Sequence, residues 1–323
     1  MMQACLLVFF IYSSHKRNKM DNTQKRNILM GHAALLSANV MWGLMAPLGK
    51  DLLNSGTIPS MPLAAIRIIA AALLFWIVSL SVPKHIIRKE KIERQDWWKI
   101  GLASLLVIGA NQVLIILGLA MANPVDAAII CSSTPILCVL VTAVLLHRWV
   151  GWLKGLGVAI GFGGMLLFVL GGDTTASVNM TNPALGNILC IAAQLCGALY
   201  LVMFTDILQK YTPFTLMKWM FLISAIILAP FTLADIAAVE WSALSGAMWA
   251  ELAYIILCAT FLAYFLLPFG QKHVAPTTVA MYNYLQPVVA VVFSIIAGLG
   301  TMNIVTAGAT LLIIAGVYIV NKE

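Results

Sequence analysis

The chain has 323 residues, 62% of them hydrophobic and only 10% charged. A water-soluble domain carries about 25% charged residues, and surface does not shrink fast enough with size to hide this much apolar side chain. The composition therefore excludes an aqueous globule and makes lipid the main solvent, so the formal net charge of +7 is no sign of nucleic acid; what matters is where Lys and Arg sit.

The first thirteen residues, MMQACLLVFFIYS, are apolar but too short to cross a hydrocarbon core of about 30 Å. The basic cluster His15-Lys16-Arg17-Asn18-Lys19 follows that run, the reverse of a signal peptide. Residues 1–28 are read as an N-terminal cytoplasmic tail. Within it, 1–19 is either a short tail or an upstream extension ahead of a start at Met20. Apolar stretches of roughly 18–25 residues then recur, each long enough for one transmembrane helix. Ten are expected, at about 29–50, 60–82, 98–120, 124–146, 151–171, 184–205, 213–233, 247–268, 275–297 and 302–320. Barrel strands would be about ten residues long and alternate in polarity, so the fold class is all-α integral membrane, each backbone amide being satisfied within its own helix. The six cysteines (Cys5, Cys131, Cys138, Cys190, Cys196 and Cys258) form no CxxC pair; they read as small core residues, not metal ligands or disulfides.

With the N-terminus in the cytoplasm, the inner segments hold Lys25, Arg26, Lys84, Arg88, Lys89, Lys91, Arg94, Lys99, Arg148, Lys154, Lys210, Lys272 and Lys322. The outer segments hold Asp51, Asp173, Asp235 and Glu240, with Lys50 at a helix end. This asymmetry obeys the positive-inside rule for ten spans, placing both termini in the cytoplasm and the chain in the cytoplasmic membrane. Trp97, Trp98, Trp149, Trp152, Trp241 and Trp249 fall at predicted helix ends, as interfacial anchors do.

The chain also repeats itself. NPVDAAIICSSTP (123–135) and APTTVAMYNYLQP (275–287) share a Pro-Ala-Pro frame. Pro124 and Pro276, Ala128 and Ala280, Pro135 and Pro287, Gly118 and Gly270, and Gly164 and Gly316 are each 152 positions apart; Pro62 and Pro213, like Arg67 and Lys218, are 151 apart, and Gly43 and Gly197 are 154 apart. A five-helix unit is written twice, over 29–171 and 184–320. Five being odd, the second copy enters the bilayer from the opposite side, which makes an inverted repeat of the kind many secondary transporters use.

This layout resembles the EamA-like branch of the drug/metabolite transporter superfamily over residues 29–320. The likeness lies in ANVMWGLMAPLGK (38–50), the Pro62–Arg67 opening of the second span, the paired prolines, and the Gly-rich VAIGFGGMLLF (158–168) and TAGATLLIIAGVYIV (306–320). The resemblance implies ten helices in two repeats and export or exchange of small organic solutes such as amino acids and related metabolites. Two departures stand out. Gln286 occupies a place where the family often carries Glu, and Leu146-His147 and Gly300-Thr301 replace its Leu-Gly-Glu turns. Protons are the candidate coupling ion, but not through those carboxylates.

An ionisable group inside a span costs about 2.5–3.5 kcal/mol on insertion scales and needs a reason. Arg67 and its repeat mate Lys218 either meet a substrate carboxylate or serve structure, Arg67 by bonding carbonyls or Asp126 and Lys218 by snorkelling to headgroups. Asp126, after Asn123 and Pro124, either completes a helix start or titrates. Thr278, Tyr282 and Gln286 are spaced i, i+4, i+8 with Asn283 beside them, a polar stripe that either lines a wet cavity for an amphipathic solute or glues helices. Asn39, Trp42, Asn111, Gln112, Gln194 and Tyr264 are further candidates for substrate contact or interhelical bonding. Gly43, Gly161, Gly163, Gly164, Gly308 and Gly316 are expected to allow close helix approach. No HExxH, GxSxG or paired carboxylates occur, which disfavours a membrane-embedded enzyme. A channel or passive scaffold is the other alternative. The expected partners are a small organic solute and the lipid bilayer; no cofactor, metal or nucleic acid is implied, and the oligomeric state is open.

Overall fold

The structure, a computed structural model, describes residues 22–81, 90–121, 130, 133–147, 151–170, 183–296 and 304–321. Every regular element among them is helical. In chain order these are α1 (Asn22–Asn54), α2 (Ser60–Ser81), α3 (residues 97–121), α4 (Thr134–Leu145), α5 (Trp152–Leu170), α6 (Pro183–Met203), α7 (Pro213–Ala237), α8 (residues 246–273), α9 (residues 276–296) and α10 (Ile304–Asn321). Proline opens several of them. Pro213 begins α7 behind Thr212, whose side chain accepts from the Thr215 amide, and Pro276 begins α9; the missing amide is harmless in a first turn.

Among the described residues, six stretches are long and apolar enough to cross a membrane: Thr23–Met45, Ser60–Ser81, Arg94–Ile115, Ala184–Met203, Pro213–Ala237 and Gly246–His273. The expected spans at 124–146, 151–171 and 302–320 are represented by the shorter apolar stretches Thr134–Leu145, Trp152–Leu167 and Leu311–Val320. The expected span at 275–297 is broken: α-helix over Pro276–Met281, a 3-10 turn over Tyr282–Tyr284, and α-helix again over Leu285–Ile296. Pro287 accounts for the break, because a proline has no amide to bond the carbonyl four residues before it, here that of Asn283. Its counterpart Pro135 likewise stands in the first turn of α4.

Two helices carry a six-residue π segment, Leu105–Ala110 in α3 and Leu257–Leu262 in α8. Each residue of the second follows its counterpart by 152, the spacing of the sequence repeat. The packing keeps the same arithmetic. α1 lies on α8 and α9, while α6 lies on α3 and α4; α2 packs on α7, α4 on α9, and α5 on α10. Shifting every helix by five places maps this set of pairings onto itself.

Glycine sets the closest approaches. A Cβ on Gly118 of α3 would lie 2.9 Å from the Gly186 carbonyl of α6, and one on Gly270 of α8 would lie 3.0 Å from the Gly31 carbonyl of α1. The α5–α10 seam closes on Gly157, Gly161, Gly164 and Gly316. Gly163 and Gly308 do not act this way, because each faces open space, with nothing within 4 Å of an added Cβ; the 3.6-residue period turns them away from the seam. Phe75 sits at the hub of the largest core cluster, its ring centroid 4.5 to 5.6 Å from those of Phe261, Phe221 and Phe214. The outward faces are apolar: Phe231 is 78% and Leu80 73% exposed, as surfaces meeting lipid tails require. One end of the bundle is tied by Lys210, which bridges Glu93 and Asp96 at 2.7 Å each, and by the Lys99–Asp206 pair. Donation to Asp96 and Glu93 raises the Lys210 pKa and lowers that of Glu93.

Candidate solute-binding site

Polar side chains meet where α1 and α9 touch. Asn39, 1% exposed, donates its Nδ2 to the Leu35 carbonyl at 2.9 Å. Its Oδ1 accepts from Gln286 Nε2 at 2.9 Å, and Gln286 reaches the Asn283 Oδ1 at 3.4 Å. About two turns of α1 away, His32 Nδ1 and the Tyr282 hydroxyl bond at 2.8 Å. Tyr282 and Gln286 therefore both face α1, as the stripe anticipates, even though the 3-10 turn interrupts the register. Tyr282 is enclosed; Asn283 and Gln286 are half-buried. Gly43 permits the contact, since a Cβ there would lie 2.8 Å from the Gln286 carbonyl.

The α4–α6 contact repeats this design. Thr134, the counterpart of Gln286 at a spacing of 152, donates its hydroxyl to Gln194 Oε1 at 2.6 Å. Asn111 lies beside it on α3 and donates to the Ala193 carbonyl at 2.7 Å. Neither Thr134 nor His32 is among the residues singled out from the sequence. The 152-residue spacing marks Thr134, whereas His32 shows no signal beyond being ionisable inside an apolar run.

A second group gathers around the π segment of α8. A π turn offsets its carbonyls from their usual donors, and α1 and α2 meet the mismatch. Trp42 Nε1 donates to the Ala259 carbonyl at 2.8 Å, and Arg67 Nε donates to Thr260 Oγ1 at 3.0 Å. Thr260 donates in turn to the Ile255 carbonyl at 2.7 Å. Gln112 and Tyr264, repeat mates, touch: Gln112 Nε2 donates to the Tyr264 hydroxyl at 2.7 Å. The Trp42 and Tyr264 rings stand edge to face at 5.4 Å. Thr260 escapes a reading of the sequence because its value depends on the π turn, which periodicity does not reveal.

The structure thus gathers Asn39, Asn283 and Gln286, with Tyr282 on the same contact, into one group and Trp42, Arg67, Gln112 and Tyr264 into a second, each drawing on both halves, while Asn111 and Gln194 lie at the equivalent α3, α4 and α6 contacts. Lys218 stands apart. Its Nζ lies 4.8 and 5.1 Å from the Trp76 and Trp219 rings and 3.4 Å from Ser79 Oγ. Asp126 lies outside the described residues. Among the described residues, one cavity of about 680 Å³ is lined by Ser55, Thr57, Ser60, Asp235 and Glu240, and another, of about 390 Å³, by Gln95, Asp96, Lys99, Asp206 and Lys210. Among the described residues, no three His, Cys, Asp or Glu side chains cluster as metal ligands.

Comparison with known proteins agrees with this architecture. The chain is 23% identical over 247 residues to the uncharacterized transporter YyaM of Bacillus subtilis (strain 168), covering 76% of this chain and 78% of that one. It is 26% identical over 259 residues to an uncharacterized transporter of Archaeoglobus fulgidus, covering 78% and 82%. A crystal structure superposes with a TM-score of 0.72 at 17% identity, covering 91% of this chain and 96% of the other, and so shares the fold. The model of the EamA-like transporter family matches twice, over residues 29–170 and 184–322. A helical bundle whose packing recurs every five helices, matched by that family over most of its length, leaves one conclusion: the chain belongs to the EamA-like transporter family.

Proposed function

We propose that this protein is a secondary transporter that exports small organic metabolites, amino acids or related amphipathic solutes, by alternating access. In this reading ten helices span the cytoplasmic membrane as two inverted five-helix repeats, residues 29–171 and 184–320, with both termini in the cytoplasm. The observation that carries the reading is the polar set itself. Side chains from α1, α2, α3, α8 and α9 form hydrogen-bonded groups between helices of a largely apolar bundle, and the pairs Asn39–Gln286 and Gln194–Thr134 occupy equivalent contacts in the two halves. Two equivalent packings give a carrier two states, in which the half-sites open in turn. Supporting this are the coincident π segments, the pairing of helices under a shift of five, and the double family match. Uncharged amides and hydroxyls, able both to donate and to accept, suit a solute with polar ends and an apolar body.

The test is metabolite counterflow in proteoliposomes holding the purified protein, at two values of pH. A carrier gives saturable, trans-stimulated exchange, and proton coupling gives pH-dependent accumulation. Asn283→Leu and Gln286→Leu are expected to abolish exchange while the protein still folds. Flux that does not saturate would identify a channel, and normal exchange in both variants would remove these residues from the site.

A further inference from the structure

We infer that Arg67, Tyr264 and Gln112 form an anion subsite that takes the carboxylate of an organic acid or amino acid, with Trp42 flanking the solute's apolar body. That the anion is a transported solute rests on the carrier reading above; that the subsite binds a carboxylate does not.

The argument begins with how each donor is used. Arg67 is 9% exposed and always charged. Its one hydrogen bond among the described residues runs from Nε to Thr260 Oγ1, and no carboxylate among them pairs with it. Thr260 is itself fixed by its bond to the Ile255 carbonyl. The guanidinium is therefore held by its inner edge, and among the described residues no acceptor meets its two terminal amino groups. A buried charge without a counter-charge is unstable unless something supplies one. Tyr264, 6% exposed, stands four residues beyond Thr260 on α8, about one helical turn from the group that holds Arg67. Its oxygen accepts from Gln112, so its own proton remains to donate. Two amino groups and a phenol make a donor set, and the planar guanidinium fork matches the two oxygens of a carboxylate.

Lys218 shows what a satisfied cation looks like here. Its ammonium lies near two indoles and bonds Ser79, so the protein itself meets the charge. The repeat is thus asymmetric in its charges, and the difference singles out Arg67. Trp42, pinned by its bond to Ala259, sets an aromatic ring against Tyr264. Asn39, one turn away on α1, leads to the Asn283 and Gln286 amides, which suit a polar group at the solute's far end.

The experiment uses the purified full-length protein in neutral detergent. Its melting temperature is followed while 3-phenylpropionate, indole-3-acetate, L-phenylalanine and L-leucine are each titrated against the corresponding amide. At least one carboxylate is expected to stabilise the protein saturably and its amide not to. Arg67→Gln should weaken that carboxylate by at least about tenfold, as loss of charged hydrogen bonds does, and Tyr264→Phe by a few-fold. If Arg67→Gln does not fold, the acid-against-amide comparison on the native protein and Tyr264→Phe decide the matter. Equal effects of acid and amide, or none from any acid, overturn the subsite. So does Asp126→Asn destabilising the protein as much as Arg67→Gln with no further loss in the double variant, because Asp126 would then be the partner. Carboxylate binding without counterflow of any solute would keep the subsite and remove the carrier reading. Counterflow confined to solutes that lack a carboxylate, with no acid stabilising the protein, would do the opposite.

Discussion

Adding three carbons at Gly118 or Gly270 strikes two equivalent crossings between the halves. A Cβ at Gly118 would lie 2.5 Å from Cys190 Sγ, 2.9 Å from the Gly186 carbonyl and 3.1 Å from the Cys190 amide. One at Gly270 would lie 2.4 Å from Leu35 Cγ and 3.0 Å from the Gly31 carbonyl. Cys190 and Leu35 are fully buried, and the remaining neighbours are backbone, so relief requires the helices to part. Overpacking of this kind typically costs about 1–3 kcal/mol, and a valine at a backbone contact belongs near the top of that range, about 3 kcal/mol. Gly163→Val is the control: its Cβ meets nothing within 4 Å, and valine is a better helix former than glycine by only a few tenths of a kcal/mol. The assay is unfolding of purified protein by SDS titration in mixed micelles, followed by circular dichroism. Gly118→Val and Gly270→Val should lose comparable stability while Gly163→Val stays within about 0.5 kcal/mol of the parent. If Gly163→Val is as damaging as the pair, or if one of the pair is tolerated, the reasoning from mirrored close approaches is wrong.

Asn39→Leu and Gln286→Leu should each destabilise by about 1–3 kcal/mol, because each leaves a polar partner unmatched. The double variant should lose less than their sum, and the difference in an SDS unfolding cycle should be about 0.6–1.7 kcal/mol. Trp42→Phe removes the donor to Ala259 and should cost about 1 kcal/mol in the same assay, whereas Trp152→Phe, on a side chain 75% exposed, should be neutral. The Lys210 network gives a pH signature. Glu93 is held below its ordinary 4.5 by Lys210, so its contribution is full above that value and is lost as the pH falls through the folded-state pKa. Lys210 is raised above its ordinary 10.5 by Asp96 and Glu93, so its contribution is full below that value and is lost only as the pH rises further. Melting temperature measured against pH should therefore be flat between about 6 and 9 and fall towards acid, and Lys210→Met should reduce the acid-side dependence.

The sequence exposes these features unevenly. The 152-residue spacing of the prolines and glycines leads to the five-helix unit, and Gly118 with Gly270 shows why it leaves a trace: only glycine fits at those crossings. The stripe of Tyr282 and Gln286 is legible because polar residues stand out against an apolar helix. The 3-10 turn that interrupts it follows from Pro287 and was open to the same reading. The π segments were not, since LLVIGA (105–110) and LCATFL (257–262) share no residue pattern that marks a change of hydrogen-bond register. Arg67 and Lys218 look like equivalent charges on paper; their difference arises from neighbours distant in the chain, Thr260 for one and Trp76 for the other. Gly163 and Gly308 were misplaced because a Gly-rich run does not say which of its members faces the partner helix.

The orientation of the two halves is the claim on which the rest turns, and impermeant maleimide labelling of intact cells tests it most directly. In a cysteine-free background, Ser55→Cys sits between α1 and α2, and Gln209→Cys occupies the equivalent stretch between α6 and α7. Opposed repeats predict that Ser55→Cys is labelled from outside and Gln209→Cys only after the cells are opened. Labelling of both from the same side would contradict the account.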